Sequence, residues 1–581
     1  MLRPLPTSFA LLALAMAELS AQTPRSPSMA GRSAVYAPHG VAATSQPLAT
    51  EAALAVLERG GNAIDAAVTA AAVLSVVEPM MTGPGGDMFA LVWSAKEQRL
   101  IALNASGRAG SLMTRETLLG RGRTHVVGRS AESITVPGAV AGWHALLTKY
   151  GTLTLSQALQ PAIRYADEGF PVTPVIAGDW KGAEQVLLHD DGARATFLVP
   201  DDNGVVAPQA SGSTSSDPAR RRAPHAGEWF RNPDYARTLR EIARGGPAVL
   251  YNGPLGQRIV DRVKQLGGFL TMGDLRKNQP TWVTPISTTF KGYRVWELPP
   301  NNQGIATLEM LKILEPYDLV AMGHNSPTYL HHLIEAKKLA YADLARYVGD
   351  ADHLTVPASH LLSDAFVKER RSHIDETKAQ THVDPGPALS SETIYLTVAD
   401  ARGNMVSFIN SLFDEFGSGV VVPGTGFALH DRGAGFTLEA GLPNTVAPGK
   451  RPFHTLIPGF VTKPAANPQP DGKGDTPWMS FGLMGGAMQA QGHAQFLINL
   501  LVFGMDVQQA IDAARFRHLD GARVIIEPPV GDSVRSQLRA LGHDVTTERT
   551  STYGGAQAII KLPHGYVAGS DPRKDGHAAG Y

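Results

Sequence analysis

Thr393 stands where a short polar segment runs into a strand-like stretch that ends at Asp400. A threonine hydroxyl is a poor nucleophile at neutral pH and needs an adjacent base. A cut between Glu392 and Thr393 would supply that base, because the free α-amine of the new N-terminus lies beside the hydroxyl of the same residue. Without such a cut, Thr393 is an ordinary residue at the start of a strand, and the segment alone favours that interpretation.

The glycine pair Gly485-Gly486 is the second pattern with chemical potential. It follows the strand-like segment Trp478–Leu483 and precedes a helix predicted to start near Ala487. Backbone N–H groups at a helix N-terminus point outward and can hold a developing oxyanion. Glycine pairs before helices are common, so this pattern needs support from the rest of the chain.

Turn residues and periodicity predict the helices that precede Thr393. Pro47, Gly60-Gly61 and Asn62 delimit two helices between residues 48 and 79. Ser326 is predicted to cap a long amphipathic helix. On that helix the pair His331-His332 diverges around the axis, so we interpret these residues as surface histidines and not as ligands of one metal.

After Thr393 the pattern changes to paired strands. Thr393–Asp400 and Asn404–Asn410 flank a turn that contains Gly403, which predicts a β-hairpin. Residues 486–500 then return to a helical pattern. Helices first and paired strands later indicate a layered α+β or αββα body.

Composition restricts the function. The chain has 581 residues, of which 43% are hydrophobic, and this length indicates two domains or one large layered unit. Its formal net charge of −1 argues against nucleic acid as a partner. The sequence contains no cysteine, which excludes disulfides, thiolate metal sites and cysteine nucleophiles.

The first 21 residues resemble a secretory signal. Arg3 precedes an apolar run, Phe9–Ala17, and small residues follow up to Ala21. The run is too short to cross a bilayer, so we expect cleavage after Ala21 and a secreted or periplasmic protein without a stable membrane span. The alternative is a retained hydrophobic anchor.

Short motifs spread over almost all of the remaining chain change the interpretation of Thr393. In this order they resemble motifs of the γ-glutamyltranspeptidase family, which also includes the γ-glutamyltransferases and glutathione hydrolases. Each motif is loose by itself, but the ordered series is specific. The motifs are 60–67 (GGNAIDAA), 77–79 (VEP), 83–86 (GPGG), 136–138 (VPG), 299–304 (PPNNQG), 335–343 (EAKKLAYAD), 449–452 (GKRP) and 485–486 (GG).

The resemblance implies a four-layer αββα fold of the N-terminal-nucleophile hydrolases and a proenzyme that cleaves itself at Glu392–Thr393. A large subunit of residues 22–392 and a small subunit of residues 393–581 would form a heterodimer. Thr393 would be the nucleophile, Ser411 would support its hydroxyl, and Gly485 and Gly486 would hold the oxyanion. The resemblance implies neither a metal nor another cofactor.

The positions that grip a γ-glutamyl group in the family are changed in this chain. Phe413 stands at an asparagine position, and Arg432 and Gly435 stand where a glutamine and an aspartate hold the substrate ammonium. His454 and Thr455 replace paired serines. Arg432 reverses the expected charge, which favours a carboxylate or another acceptor-rich acyl group.

The family's carboxylate-binding arginine aligns with Ser106, and Arg108 takes over only if its loop shifts. A second interpretation is that the loops have moved and that Asp414, Glu415 or Asp431 restores the usual contacts. The segments 83–87, 104–108 and 451–455 are most similar to a divergent branch of acylases related to the γ-glutamyltransferases.

Three functional hypotheses follow. The first is a self-processing amide hydrolase or acyltransferase that acts on small γ-glutamyl amides such as glutathione. The second retains the chemistry but takes a non-glutamyl acyl amide, of a glutaryl or oxamate type. The third is an unprocessed, non-catalytic binding protein on the same scaffold.

Overall fold

The structure is a computed structural model that describes residues 31–201, 220–381, 392–548 and 551–581. The predicted signal at residues 1–21 lies outside this range. So do residues 382–391, immediately before the predicted cleavage position, and the side chain of Glu392.

The strands of the described residues are as follows: β1 Val35–Ala37, β2 Val41–Thr44, β3 Asp87–Ser94, β4 Arg99–Ala105, β5 Phe170–Pro171, β6 Val199–Pro200, β7 Arg221–Arg222, β8 Trp229–Phe230, β9 Thr281–Val283, β10 Ile286–Phe290, β11 Tyr293–Glu297, β12 Glu392–Ala399, β13 Met405–Phe413, β14 Gly459–Lys463, β15 Thr476–Met484, β16 Phe516–His518, β17 Arg523–Ile526, β18 Asp544–Thr546, β19 Gly555–Lys561, β20 Tyr566–Ser570 and β21 His577–Gly580.

The α-helices of the same residues are as follows: α1 Pro47–Glu58, α2 Ala63–Val77, α3 Arg115–Gly120, α4 Ala139–Tyr150, α5 Leu155–Ala158, α6 Gln160–Glu168, α7 Pro174–Gly182, α8 Glu184–Leu188, α9 Asp191–Phe197, α10 Pro233–Gly245, α11 Ala248–Tyr251, α12 Pro254–Gln265, α13 Met272–Lys277, α14 Gly304–Leu314, α15 Leu319–Met322, α16 Pro327–Tyr347, α17 Ala358–Leu361, α18 Asp364–Arg371, α19 Met488–Leu501, α20 Val507–Asp512 and α21 Asp532–Ala540. Among the described residues, none of these helices combines the length and hydrophobicity needed to cross a bilayer.

Two seven-stranded sheets form the centre of the molecule. One has the order β1-β20-β19-β15-β14-β11-β10, and the other has the order β21-β2-β12-β13-β3-β4-β9. Strands from before and after Thr393 alternate in both sheets. For example, β2 pairs with β12 on one side and with β21 on the other.

Three hydrophobic cores separate four layers. The first lies between α1, α2, α4 and the sheet that contains β12. The second lies between the two sheets, and the third lies between the sheet that contains β15 and the helices α14, α16 and α19. The layers are therefore helix, sheet, sheet and helix, as predicted for an αββα sandwich.

Local signals explain the elements that were predicted correctly. The side chain of Asn62 accepts hydrogen bonds from the N–H groups of Ile64 and Asp65, while Asp65 accepts one from the N–H of Asn62, so a capping box starts α2. Ser326 caps α16 in the predicted place.

One expectation about α16 is wrong. His331 and His332 are buried and not on the surface. The Nδ1 and Nε2 atoms of His331 contact His543 Nε2 and the carbonyl oxygen of Asp375, each at 2.8 Å. His332 packs against Tyr317, so other elements cover the helix on both sides.

Candidate active site

Thr393 is a fully buried residue near the start of β12. Side chains alternate along a strand, and Ile394 and Leu396 pack in the core on the helix side. Thr393 therefore shares its face with Tyr395 and Thr397, which lie toward the opposite sheet. The predicted nucleophile belongs to the interface between the two sheets.

A β-bulge places Ser411 beside Thr393. Ile394 pairs with Asn410, but Glu392 pairs with Phe413, so β13 contains one extra residue opposite Thr393. Such bulges redirect side chains and are frequent next to active sites. Here the Thr393 hydroxyl lies 3.3 Å from Ser411 Oγ, and Phe413 has a φ of +84°.

The Ser411 hydroxyl is the centre of a buried polar network. Its oxygen accepts a hydrogen bond from the Phe413 N–H at 2.7 Å and another from Arg432 Nη2 at 3.2 Å. Arg432 also donates from Nη1 to Thr455 Oγ1 at 2.9 Å. The network thus connects the predicted nucleophile, its supporting hydroxyl and three of the predicted substrate-binding residues.

Arg432 begins the 3₁₀ turn Arg432–Gly435 and is completely buried. Its guanidinium carbon lies 4.3 Å from the centre of the Phe413 ring, which is a cation–π arrangement. Burial lowers the pKa of Arg432 to about 10, although the carboxylates of Asp87, Asp431 and Asp414 oppose this change through space. The site is therefore positively charged next to Thr393 at neutral pH.

The predicted oxyanion glycines approach Thr393 from the opposite sheet. Thr397 Oγ1 contacts Ser480 Oγ across the sheets at 2.6 Å, and the ring of Tyr395 lies directly on Gly482. This register continues to Thr393 opposite Met484, the last residue before Gly485-Gly486.

The glycine pair has backbone angles that favour glycine, with φ values of +115° at Gly485 and +59° at Gly486. Gln303 holds the turn by donating to the carbonyl oxygens of Thr455 and Gly486 at 2.7 and 2.8 Å. Within the described ranges, neither glycine N–H donates to a protein acceptor, so both remain available for an oxyanion.

His454 contacts Asp87, a buried carboxylate to which sequence reasoning gave no role. His454 Nδ1 accepts a hydrogen bond from the Leu456 N–H, so Nε2 carries the proton and donates to Asp87 Oδ2 at 3.2 Å. Burial and the nearby Arg432 lower the pKa of His454 to about 3. The histidine is therefore neutral at physiological pH.

Asp87 and Gln303 are the two residues that the sequence reasoning missed. Asp87 also accepts from the N–H groups of Gly107 and Gly138, which connects three loops near the site. Both residues lie inside motifs that were noticed for their glycines, so polar residues adjacent to these glycines were the available signal.

Arg108 is not part of the network that contains Thr393. Its guanidinium contacts Asp350 at 3.1 Å and the carbonyl oxygen of Gly449 at 3.0 Å. Ser106 instead contacts Asn104, and Arg451 donates to the Ser106 carbonyl. The loop shift that would bring Arg108 to the substrate does not occur in this structure.

Asp414 and Asp431 form a carboxyl pair behind Phe413. Asp431 accepts hydrogen bonds from the backbone N–H groups of Arg129 and Asp414. Burial and the neighbouring Asp431 raise the pKa of Asp414 to about 8. Glu415 lies further out, 4.0 Å from the Arg129 guanidinium.

One cluster of the described residues has donor types that suit a metal ion, namely His331, Glu335 and His543. These donors already have protein partners. His331 Nδ1 contacts His543 Nε2, and Glu335 Oε1 accepts from the Lys338 ammonium at 2.7 Å. The cluster joins α16 to the region of β18 and lies outside the network around Thr393.

Comparison with known proteins identifies the family. Residues 49–581 match the sequence profile described as Gamma-glutamyltranspeptidase. The chain belongs to the gamma-glutamyltranspeptidase family. The resemblance stated from its motifs is thereby confirmed.

Three similar proteins show the range within this family. The glutathione hydrolase-like YwrD proenzyme of Bacillus subtilis is 35% identical, and the match covers 92% of this chain and 97% of the relative. The oxamate amidohydrolase proenzyme of Klebsiella pneumoniae is 34% identical, with coverages of 94% and 98%. The crystal structure of a cephalosporin acylase from Bacillus halodurans matches with a TM-score of 0.85 at 40% identity, over 96% of this chain and 99% of that structure.

These relatives confirm two of the predictions. The fold is the α+β sandwich of the N-terminal-nucleophile hydrolases. The protein is an enzyme of the γ-glutamyltransferase, glutathione hydrolase and acylase group, whose shared activity is amide hydrolysis.

Proposed function

We propose that this enzyme is a self-processing amide hydrolase that works through an acyl intermediate on Thr393. The observation that carries the proposal is the 3.3 Å contact between the hydroxyls of Thr393 and Ser411 in the bulge of β12 and β13. A nucleophile requires an oriented hydroxyl, and this contact supplies the orientation.

Processing begins at the bond between Glu392 and Thr393. Thr393 Oγ1 attacks the Glu392 carbonyl carbon, a C–O bond forms, and the C–N bond breaks as the nitrogen takes the hydroxyl proton. Water then hydrolyses the ester, which releases the Glu392 carboxylate and the free α-amine of Thr393. Both reactions are acyl transfers, so the proposal requires no metal or other cofactor.

Catalysis repeats this chemistry on a substrate amide. The α-amine of Thr393 takes the proton from Oγ1, and the N–H groups of Gly485 and Gly486 stabilise the oxyanion. The amine product leaves with the proton, and an acyl-threonine remains. Water or a second amine then attacks the ester, which corresponds to hydrolysis or transfer.

The proposed products of processing are a segment of residues 22–392 and a segment of residues 393–581. The two remain together as a heterodimer because their strands pair in both central sheets. The start at residue 22 and a secreted or periplasmic location are predictions that N-terminal sequencing of the exported protein tests.

Small γ-glutamyl amides such as glutathione are the first acyl donors to test, because several relatives are named glutathione hydrolases. A non-glutamyl acyl amide is the second candidate, and Arg432 is the observation that favours it. Its guanidinium lies beside Ser411 at a position where γ-glutamyl enzymes contact an ammonium group.

The test of the proposed nucleophile is the Thr393→Ala variant. The wild type is expected to separate into two chains on a denaturing gel, and mass spectrometry should place a new N-terminus at Thr393. Thr393→Ala should remain one chain and lose amide hydrolysis by about 10⁶-fold.

Thr397→Ala is the matched control, since Thr397 is a buried threonine on the same strand and face. It should process normally. Cleavage of Thr393→Ala at the same bond would refute the proposal, and a single full-length wild-type chain would support the non-catalytic alternative.

A further inference from the structure

The side chain of Arg432 has an unsatisfied donor group inside the protein. It is fully buried and uses Nη1 and Nη2 to contact the hydroxyls of Thr455 and Ser411. Its Nε atom is buried without any hydrogen-bond acceptor. A buried polar group that lacks a partner destabilises the folded protein, and such groups often mark a function.

Arg432 also lacks a directly contacting counter-ion. Among the described residues, no carboxylate oxygen lies within 4.0 Å of its guanidinium nitrogens, although Asp87, Asp414 and Asp431 act on it from a greater distance. Burying a cation without a paired anion is strongly unfavourable. The arrangement is therefore incomplete as a structural ion pair and suited to an anion that arrives with the substrate.

The position of Arg432 connects this unsatisfied donor group to the reaction. One side chain, Ser411, bridges Arg432 Nη2 and the Thr393 hydroxyl, with contacts of 3.2 and 3.3 Å. An anion on the guanidinium would thus be separated from the reacting carbonyl by only a short acyl chain. The Phe413 ring covers one face of the guanidinium, so the edge that carries N–H donors remains for recognition.

We infer that Arg432 binds a carboxylate on the acyl part of the substrate, so that the preferred acyl donors are half-amides of short dicarboxylic acids. This inference rests on the proposed function, because it takes Thr393 as the nucleophile. A guanidinium binds a carboxylate through two parallel hydrogen bonds, which a neutral acyl end cannot provide. An ammonium next to the same carboxylate is not required, because the group it would face is itself a cation.

Two chromogenic amides of equal length separate carboxylate recognition from general hydrolysis. Glutaryl-p-nitroanilide ends in a carboxylate, and valeryl-p-nitroanilide ends in a methyl group. Wild-type processed enzyme should show a kcat/KM that is about 10- to 100-fold higher for the glutaryl compound, as expected for a hydrogen-bonded charge. Free glutarate should inhibit competitively, and valerate should not.

The Arg432→Met variant should lose most of this ratio, and Arg432→Lys should show an intermediate ratio. The ratio is the chosen readout because any effect on Thr393 through Ser411 changes both substrates equally. If Arg432→Met fails to process, the two wild-type measurements decide the matter alone.

The outcomes distinguish this inference from the proposed function. An unprocessed wild type without anilide hydrolysis would overturn both. A processed wild type that hydrolyses the glutaryl and valeryl compounds equally would overturn only the role of Arg432. A γ-glutamyl-p-nitroanilide preferred over the glutaryl compound by more than tenfold would also overturn it, because the ammonium would then be the recognised group.

Discussion

Arg432 and Arg515 are both buried arginines that follow the predicted cleavage position, and they differ in their partners. Arg515 donates to Asp571 at 2.6 Å and to the carbonyl oxygens of Ile511 and Tyr553, each at 3.0 Å. Arg432 contacts two hydroxyls and the face of an aromatic ring. One guanidinium completes a structural ion pair, and the other has donors left over.

The difference shows how a buried charge can be assigned to structure or to function. Replacing one partner of a paired buried charge leaves the other uncompensated, so the pair is required for folding. A buried charge without a contacting counter-ion makes the folded protein less stable than a well-packed apolar side chain would. Its presence next to Ser411 is therefore better explained by a ligand than by stability.

The largest expected effect is the loss of Arg515. Arg515→Met leaves Asp571 buried and unpaired, and the free energy of unfolding should fall by about 3–5 kcal/mol. Urea unfolding checks this, with all variants made in the Thr393→Ala background so that only uncut chains are compared. A change below about 1 kcal/mol would break the distinction between the two arginines.

Acidification tests the histidines close to each region and should have an intermediate effect. Burial lowers the pKa of His454, beside Arg432, and of His493, beside Glu297, to about 3 in each case. The unfolded chain binds a proton near pH 6.5, whereas the folded chain does not until about pH 3, so stability falls as the pH drops through this window.

Each of these histidines should reduce the free energy of unfolding by up to about 1.4 kcal/mol per pH unit below 6.5. His454→Gln and His493→Gln should each lessen the difference in unfolding free energy between pH 7 and pH 5. A dependence identical to that of the starting chain would contradict the neutral, buried state of these rings.

The smallest expected effect on stability is that of Arg432→Met. The variant loses hydrogen bonds to Ser411 and Thr455, but it also removes a desolvated charge. These terms oppose each other, so the free energy of unfolding should stay within about 1 kcal/mol of the starting chain. Destabilisation as large as that of Arg515→Met would instead assign Arg432 a structural role.

The elements around the site were predictable where local chemistry decides the structure. Asn62 and Ser326 cap helices in the predicted places, and the turn at Gly403 joins the predicted hairpin. These features depend on side chains that satisfy backbone groups only a few residues away. The motif series gave the family for a related reason, since its glycines are required by local backbone geometry.

Long-range features were not predictable in the same way. The burial of His331 depends on contacts with His543 and Asp375, which are far away in the sequence. The contact of Asp87 with His454 likewise joins residues 367 positions apart. The bulge opposite Thr393 is a matter of strand register, which β-propensity does not encode.

The alternation of strands in the two sheets has a consequence for the lifetime of the processed enzyme. A cut before Thr393 leaves two chains that are woven through the same sheets, with β2 held between β12 and β21. The folded pair can persist, but separated chains would have to rebuild pairings that the continuous precursor made as one molecule. Loss of the processed form would then be a one-way event, so its durability is set by the rate of unfolding and not by an equilibrium.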